Sequence, residues 1–248
     1  MLKNRNSSII GFSCLFISFA ILFSFIGVYY SQKLVWELET SAEAPDFASS
    51  LPTIVIDAGH GGEDGGASTY GGAPEKELNL LIANDLRDML LAAGINVVMT
   101  REDDNLLYDK NSDYKGHKKS MDLANRLKIA REIDNALLIS IHMNAFPEEK
   151  YSGLQIYYSR NVPDSQSLAH LIQKNNKRIL SPDNNRKIKA AGKNIYLLDR
   201  FDRTAILIEC GFLSNAAERE KLNTPEYRQE LSACFFASIL EHITNIEK

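Results

Sequence analysis

Two histidines and several carboxylates of this chain have the types and the spacing of a metal-dependent hydrolytic site. His60 follows the run TIVIDAG, His142 stands in SIHMN, and Glu209 stands in LIECGF. Glu75 and Glu77 both lie in the block PEKEL. Two imidazoles and one carboxylate are a ligand set of catalytic zinc, which keeps a fourth position for water. Such a zinc lowers the pKa of its water to about 7 and polarises a carbonyl group.

A second carboxylate, one that does not bind the metal, can act as general base and then protonate a leaving amine. Glu209 fits this role, because it lies at the tip of a buried strand that would hold it rigidly. We interpret three other histidines, in a polar loop or on predicted helices, as structural or solvent-exposed: His117, His170 and His242. Strand alternation points Cys210 away from the face of Glu209, so we interpret it as a small buried residue.

Alternating apolar strands and amphipathic helices must position these residues. Short runs rich in β-branched residues predict strands at 53–57, 95–100, 136–141, 153–159, 194–198 and 204–209. Helical spacing of apolar residues predicts helices at about 74–93, 120–130, 164–179 and 224–246, with Ser120 and Thr224 as N-caps. This order predicts an α/β fold, a three-layer α/β/α single domain with a mostly parallel sheet of about six strands.

The predicted sheet brings three of the candidate residues to one edge. In open α/β sheets, ligands gather beyond the carboxyl ends of the strands. His60, His142 and Glu209 follow or end three different strands, and the first helix, with Glu75 and Glu77, starts from the same edge. A single histidine near a loop is more often structural than metal-bound, so it is the convergence of three strand ends that favours a zinc hydrolase.

The composition excludes several other classes of protein. The chain has 248 residues, 44% hydrophobic and 24% charged, which is typical of a globular protein and not of a disordered one. A net charge of −4 gives no indication of a nucleic-acid-binding surface. The three cysteines, Cys14, Cys210 and Cys234, form no CxxC pair, which excludes a disulfide-dense scaffold and a cysteine-based zinc finger.

An apolar segment near the N-terminus predicts a membrane anchor or a signal segment. Residues 9–30 carry no charge and follow Lys3 and Arg5. As a helix they would span roughly 33 Å, enough for a hydrocarbon core of about 30 Å. We favour an uncleaved anchor, although cleavage stays open. The expected organisation is an N-terminal membrane anchor or signal segment over 1–31, a linker over 32–50 and an exported zinc-hydrolase domain over 51–248.

Four blocks, in this order, resemble the zinc-dependent N-acetylmuramoyl-L-alanine amidases of the type-3 amidase family: IVIDAGHGGEDGGA, PEKELNL, SIHMNA and LIECGFLSN. The resemblance runs from about Thr53 to Ile246. It implies one Zn²⁺ per chain with the following site residues: the zinc ligands His60, Glu75 and His142, and the catalytic Glu209. It also decides between the carboxylates of PEKEL, because the family's ligand immediately precedes the lysine. That residue is Glu75 and not Glu77.

The activity implied by the resemblance is hydrolysis of the amide between N-acetylmuramic acid and the L-alanine of the stem peptide. Further blocks, KSMDLANR, SGLQIYYS and NIYLLDR, resemble the germination-specific members of the family. This subgroup removes peptides from the spore cortex so that muramic lactam can form. The implied partners are peptidoglycan, a membrane through the N-terminal segment and, as a further hypothesis, an activating protein; no nucleic acid is expected.

Two alternative functions stay open at this point. Another cell-wall zinc peptidase, such as a carboxypeptidase acting within the stem peptide, would use the same four residues. A catalytically inactive wall-binding protein would need none of them, so their presence argues against it. Arg101, Asn144 and Asn215 lie beside or within the motifs, and substrate contact, turn formation and surface solvation explain each of them equally well.

Overall fold

The computed structural model describes residues 32–33, 51–67, 72–109, 111 and 116–245 of the chain. From Leu51 onward the chain forms one compact unit. The predicted apolar segment 9–30 and most of the predicted linker lie outside the described residues. Within the part of the chain that the structure describes, no helix combines the length and the apolar character needed to cross a membrane.

Six strands form one sheet at the centre of this unit. They are β1 (Thr53–Ala58), β2 (Val97–Met99), β3 (Ala136–Asn144), β4 (Gln155–Tyr158), β5 (Lys189–Ala190) and β6 (Ala205–Phe212). Their order across the sheet is β2-β1-β3-β6-β4-β5. Every neighbouring pair is parallel except β6 and β4, which are antiparallel. The predicted mostly parallel sheet of an α/β fold is confirmed.

Helices cover both faces of the sheet. The described residues include α1 (Glu75–Ala92), α2 (Lys118–Arg131), α3 (Asp164–Ile179), α4 (Tyr196–Arg200), α5 (Ala216–Leu222) and α6 (Pro225–Asn245). One core cluster packs α1, α3 and α6 against residues such as Ile56 of β1. A smaller cluster packs α2 and α4 against residues such as Val55 on the opposite face. The predicted three-layer arrangement is therefore confirmed.

The ends of α1 follow from residues at its two termini. Pro74 is the N-cap, with a φ of −63°, and Glu75 is the first helical residue. At the other end Gly94 adopts a φ of 77°, which favours glycine, and the amide of Ile95 donates to the carbonyl of Leu90 at 3.0 Å. Because Pro74 fixes the start, the carboxylate of Glu75 lies at the edge of the sheet where the parallel strands end.

One predicted strand is wrong. Residues 194–198 were expected to be extended, but the helix α4 begins at Tyr196, and the amide of Asp199 donates to the carbonyl of Ile195 at 3.0 Å. Helical geometry brings Leu197, Leu198 and Phe201 into the smaller core cluster together. A five-residue apolar run has too little periodicity to separate a strand from a helix. The sixth strand is instead β5, which has only two residues, Lys189 and Ala190.

Several boundaries also differ from the prediction. β3 extends to Asn144, so His142 lies inside the strand and not beyond it. Glu209 likewise lies inside β6, which continues to Phe212. α2 begins at Lys118, so Ser120 is not its N-cap. Thr224, by contrast, accepts a hydrogen bond from the amide of Tyr227 at 3.4 Å, as its N-cap role predicts.

Candidate metal centre

His142 and Glu209 are directly opposite each other on the parallel strands β3 and β6. Their side chains share the sheet face that α2 and α4 cover, because both line a cavity of about 230 Å³ with Leu123 and Leu197 of those helices. His60, from the loop after β1, lines the same cavity. Two neighbouring strands and the adjacent loop thus bring an imidazole pair and a carboxylate to one place.

His60, Glu75 and His142 form one cluster at the edge of this cavity. Nε2 of His60 and Nδ1 of His142 each lie 3.1 Å from Oε1 of Glu75. One potential ligand atom from each residue lies within 4.8 Å of the other two, and the two rings meet edge-to-face with centroids 4.9 Å apart. Two imidazoles and one carboxylate at this separation fit the donor set that zinc prefers.

The carboxylate of Glu75 is held from several sides. The amide of Ala67 donates to Oε2 at 2.6 Å, and the amide of Met143 donates to Oε1 at 3.1 Å. Burial opposes ionisation, but the hydrogen bonds and charges of His142 and His60 outweigh it and hold the pKa of Glu75 well below its usual range. Glu75 is therefore ionised at neutral pH and could serve as an anionic metal ligand.

His60 is fixed through its backbone and through its second ring nitrogen. It adopts a φ of 63°, the left-handed region that non-glycine residues seldom occupy. Its Nδ1 lies 2.9 Å from Oδ2 of Asp64, which leaves Nε2 directed at Glu75. Burial opposes protonation, but Glu75 and Asp64 raise the pKa of His60. A carboxylate behind a histidine ligand orients the ring and increases its basicity, so Asp64 fits a positioning role.

A buried ionic network lies beneath His60, and sequence reasoning missed it. Arg126 of α2 is almost completely buried and donates to Asp57 and Asp122 at 2.8 Å each and to the carbonyl of His60 at 2.6 Å. Asp57 also accepts a hydrogen bond from Ser140 at 2.6 Å. Burial opposes the ionisation of Asp57, but Arg126 and the other partners lower its pKa to about 2. An aspartate inside the apolar run TIVID is the signal that could have revealed it.

The structure explains two of the three residues whose roles the sequence left open. Arg101 is buried, and its guanidinium donates to the carbonyls of Ala58 and Lys76 at 2.8 and 2.7 Å. It therefore ties the end of β1 to the first turn of α1. Asn215 caps α5 by accepting from the amide of Glu218 at 3.1 Å, which explains it as a turn residue.

Glu209 lines the cavity with a carboxylate that is not fully hydrogen-bonded. Its Oε2 is buried and has no hydrogen-bond partner among the described residues. Burial raises the pKa of Glu209 to about 7, and the negative charge of Glu75 adds to this effect while His142 opposes it. A buried carboxyl group with a strongly shifted pKa, facing a cavity, is typical of a residue that transfers protons.

The other histidines, and the cysteines among the described residues, do not line the cavity. His117 and His170 are exposed, whereas His242 is buried with Nε2 2.9 Å from Oδ2 of Asp164. Cys210 is buried in the larger core cluster, on the sheet face opposite Glu209, and burial raises its pKa well above the usual value. Its thiol is therefore neither exposed nor ionised.

Comparison with known proteins places this geometry in a family. The model of the N-acetylmuramoyl-L-alanine amidase family matches residues 54–241. The chain belongs to the N-acetylmuramoyl-L-alanine amidases. This amidase is 34% identical over 225 residues to the germination-specific N-acetylmuramoyl-L-alanine amidase of Bacillus subtilis, which covers 91% of the present chain and 94% of that relative.

Solved structures of amidases resemble this amidase in three dimensions. The CwlD amidase from Clostridioides difficile, solved in complex with the GerS lipoprotein, superposes with a TM-score of 0.74 at 37% identity. The match covers 78% of the present chain and 98% of that chain. The amidase AmiC2 of Nostoc punctiforme gives a TM-score of 0.67 at 25% identity, over 78% of the present chain and 97% of that one. Family membership favours the amidase over the carboxypeptidase and the inactive wall-binding protein.

Proposed function

We propose that this amidase holds one zinc ion per chain with His60, Glu75 and His142 and hydrolyses the bond between N-acetylmuramic acid and L-alanine in peptidoglycan. The observation that carries the proposal is the approach of two imidazole nitrogens to the same carboxylate oxygen, at 3.1 Å each. A bound zinc supplies a Lewis acid for the amide carbonyl and lowers the pKa of water.

In this proposal Glu209 moves the proton. Its carboxylate accepts a proton from the attacking water and delivers it to the departing nitrogen of L-alanine. The unpartnered Oε2 and the shared cavity with His60 and His142 support this role. Without a metal ion, burial raises the pKa of Glu209 to about 7, and a neighbouring zinc would lower it towards the ionised form that accepts a proton. Asp64 and Arg126 act through His60 by holding its ring and its backbone.

The products of peptidoglycan digestion test the reaction. We expect the zinc-loaded protein to release stem peptides that begin with free L-alanine and to create no new reducing sugar. Mass spectrometry and amino-terminal labelling measure both, with the Glu209→Gln variant as the matched control. Release of free D-alanine instead would identify a carboxypeptidase and contradict the proposal.

We further propose that the substrate is the peptidoglycan of the spore cortex. The support is the similarity to the germination-specific relative of B. subtilis and to the CwlD amidase of C. difficile. Expression in a B. subtilis strain that lacks its own germination-specific amidase tests this. We expect muramic lactam to reappear in the cortex with the unaltered protein and not with Glu209→Gln. An active enzyme that leaves every cortex peptide in place would contradict the cortex role.

Export and a protein partner complete the proposal. Peptidoglycan lies outside the cytoplasmic membrane, and the uncharged segment 9–30 is long enough to target or anchor the chain there. The C. difficile relative was solved with a lipoprotein, which supports an activating partner for the present chain as well. Protease accessibility in intact cells tests export. Turnover measured with and without the co-purified partner tests activation.

A further inference from the structure

The sheet face that carries Glu209 continues across β4 and β5 as two ordered rows. Gln155 of β4 lies directly opposite Glu209, and its side-chain amide donates to the carbonyl of Lys187 at 2.6 Å. Tyr157 lies opposite Leu207 on one side and Lys189 on the other. Because side chains alternate along a strand, Gln155 and Tyr157 share the face of Glu209. Gln155 and Leu207 are buried and Tyr157 is half-buried, so it is the register of the strands that places β5 two strands away from Glu209 on this face.

Two exposed lysines lie at the edge of the sheet, beside Gln155 and Tyr157. Ile188 packs against the larger core cluster on the opposite face, so alternation directs Lys187 and Lys189 to the face of Glu209. Nζ of Lys189 lies 6.0 Å from the centroid of the half-buried Tyr157 ring. Both lysines are exposed, and within the described part of the chain neither forms an ion pair. The two ammonium groups are thus available to an external anion.

The charges on the two sides of the scissile bond indicate which part of the substrate the two lysines would bind. The glycan on the carbonyl side is uncharged once its lactyl carboxyl is in the amide, whereas the stem peptide on the nitrogen side carries free carboxylates. Two strand spacings separate β6 from β5, about 10 Å, and three extended residues span a similar distance. A stem peptide that leaves Glu209 along this face would bring its carboxylates to the lysines. Exposed cations there also attract an acidic peptide over a longer range.

We propose that Lys187, Lys189 and Tyr157 form a subsite for the acidic stem peptide, on the leaving-group side of the scissile bond. The Tyr157 ring is the floor of this subsite, and the two lysines bind carboxylates of the second and third peptide residues. The inference rests on the proposed function, because it takes Glu209 as the point from which the peptide departs. If the lysines bind these carboxylates, the enzyme should prefer stem peptides with free carboxylates to stem peptides in which they are amidated.

The test compares Lys187→Gln/Lys189→Gln with unaltered full-length protein, both loaded with zinc. The substrates are an N-acetylmuramoyl tetrapeptide and the same compound with its carboxylates converted to carboxamides. We expect the variant to raise KM for the acidic substrate about five- to tenfold, as the loss of two exposed ion pairs predicts, with kcat unchanged. KM for the amidated substrate should change less than about twofold, and the difference should diminish in 1 M salt.

Two control variants keep this test specific. Lys128→Gln/Lys174→Gln removes two exposed lysines on α2 and α3 and should leave KM unchanged for both substrates. Lys187→Arg/Lys189→Arg keeps the charges and should restore KM for the acidic substrate. An equal KM for Lys187→Gln/Lys189→Gln and unaltered protein on the acidic substrate would overturn the subsite alone. Absence of hydrolysis of either substrate and of whole peptidoglycan by unaltered protein, even with the co-purified partner present, would overturn the proposed function and the subsite with it.

Discussion

The imidazole ring of His142 lies directly against the backbone of Gly59, so a Cβ atom at position 59 would overlap the ring. The amide of Gly59 also donates to the carbonyl of Ile141 at 3.0 Å, which fixes its distance from β3. The glycine after β1 therefore provides the space in which the ring of His142, a proposed metal ligand, lies.

Gly59→Ala should weaken zinc binding by about 10- to 100-fold, because the ring of His142 must leave its position to accept the methyl group. Competition with a chromophoric chelator measures the affinity. Gly65→Ala is the matched control, since no atom lies within 4 Å of a Cβ at that position. Similar zinc affinities for the two variants, both with native circular dichroism, would contradict the claim that Gly59 makes room for the ring of His142.

Asp57→Asn should lower the free energy of unfolding at pH 7 by about 3 kcal/mol, because it leaves the buried Arg126 with one fewer carboxylate. The pKa of Asp57 is lowered in the folded state to about 2, so its contribution is complete above the unfolded pKa of 3.8 and is lost as the pH falls towards 2. Urea unfolding from pH 7 to pH 2 measures this, because the free energies of unfolding of the unaltered protein and the variant should become equal as the pH falls. Lys128→Gln, which breaks an exposed pair with Glu132, should change stability by less than about 0.5 kcal/mol.

Glu209→Gln should stabilise the zinc-free protein at high pH. Burial raises the folded pKa of Glu209 to about 7, above the value of 4.5 expected when unfolded. The ionised carboxylate therefore destabilises the fold, by an amount that grows between pH 4.5 and 7 and reaches about 3 kcal/mol above pH 7. Denaturation in a chelator at pH 4 and pH 8 measures this. A variant no more stable than unaltered protein at pH 8 would show that the carboxylate is not desolvated.

Cys210→Ala should keep full turnover, because the thiol lies in the core on the opposite face from Glu209. The smaller side chain should cost about 1 kcal/mol of stability through lost packing. Hydrolysis rates at equal zinc content, with thermal denaturation alongside, check both statements. A more than tenfold loss of turnover in the folded variant would assign this cysteine a chemical role.

The parts of this molecule that sequence patterns predict are those with repeated apolar residues. The long helices and β1, β3 and β6 follow from such patterns, and so does the meeting of His142 and Glu209 at one edge of the sheet. α4 and β5 are too short for periodicity to separate helix from strand, and their form depends on packing. The short α5 was not expected at all, since its one buried side chain gives no stripe.

The site residues also fall into those that sequence patterns indicate and those that they do not. Residue types at strand ends indicated His60, His142 and Glu209, but the choice between Glu75 and Glu77 came from resemblance to a family. The structure supplies the geometric reason, since Glu75 is the first residue of α1 and its carboxylate faces both imidazoles. The contacts of Arg126 join residues far apart in the chain, and no local pattern encodes such pairs.

The metal content and the turnover of Glu209→Gln, measured on the same preparation, test the central claim most directly. We expect one zinc ion per chain, as in unaltered protein, because Glu209 is not a ligand. Hydrolysis of peptidoglycan should fall by about 10²- to 10⁴-fold, because the proton carrier is lost. His142→Ala should lose the zinc as well as the activity. Full turnover by Glu209→Gln with zinc bound, or loss of its zinc, would contradict the account.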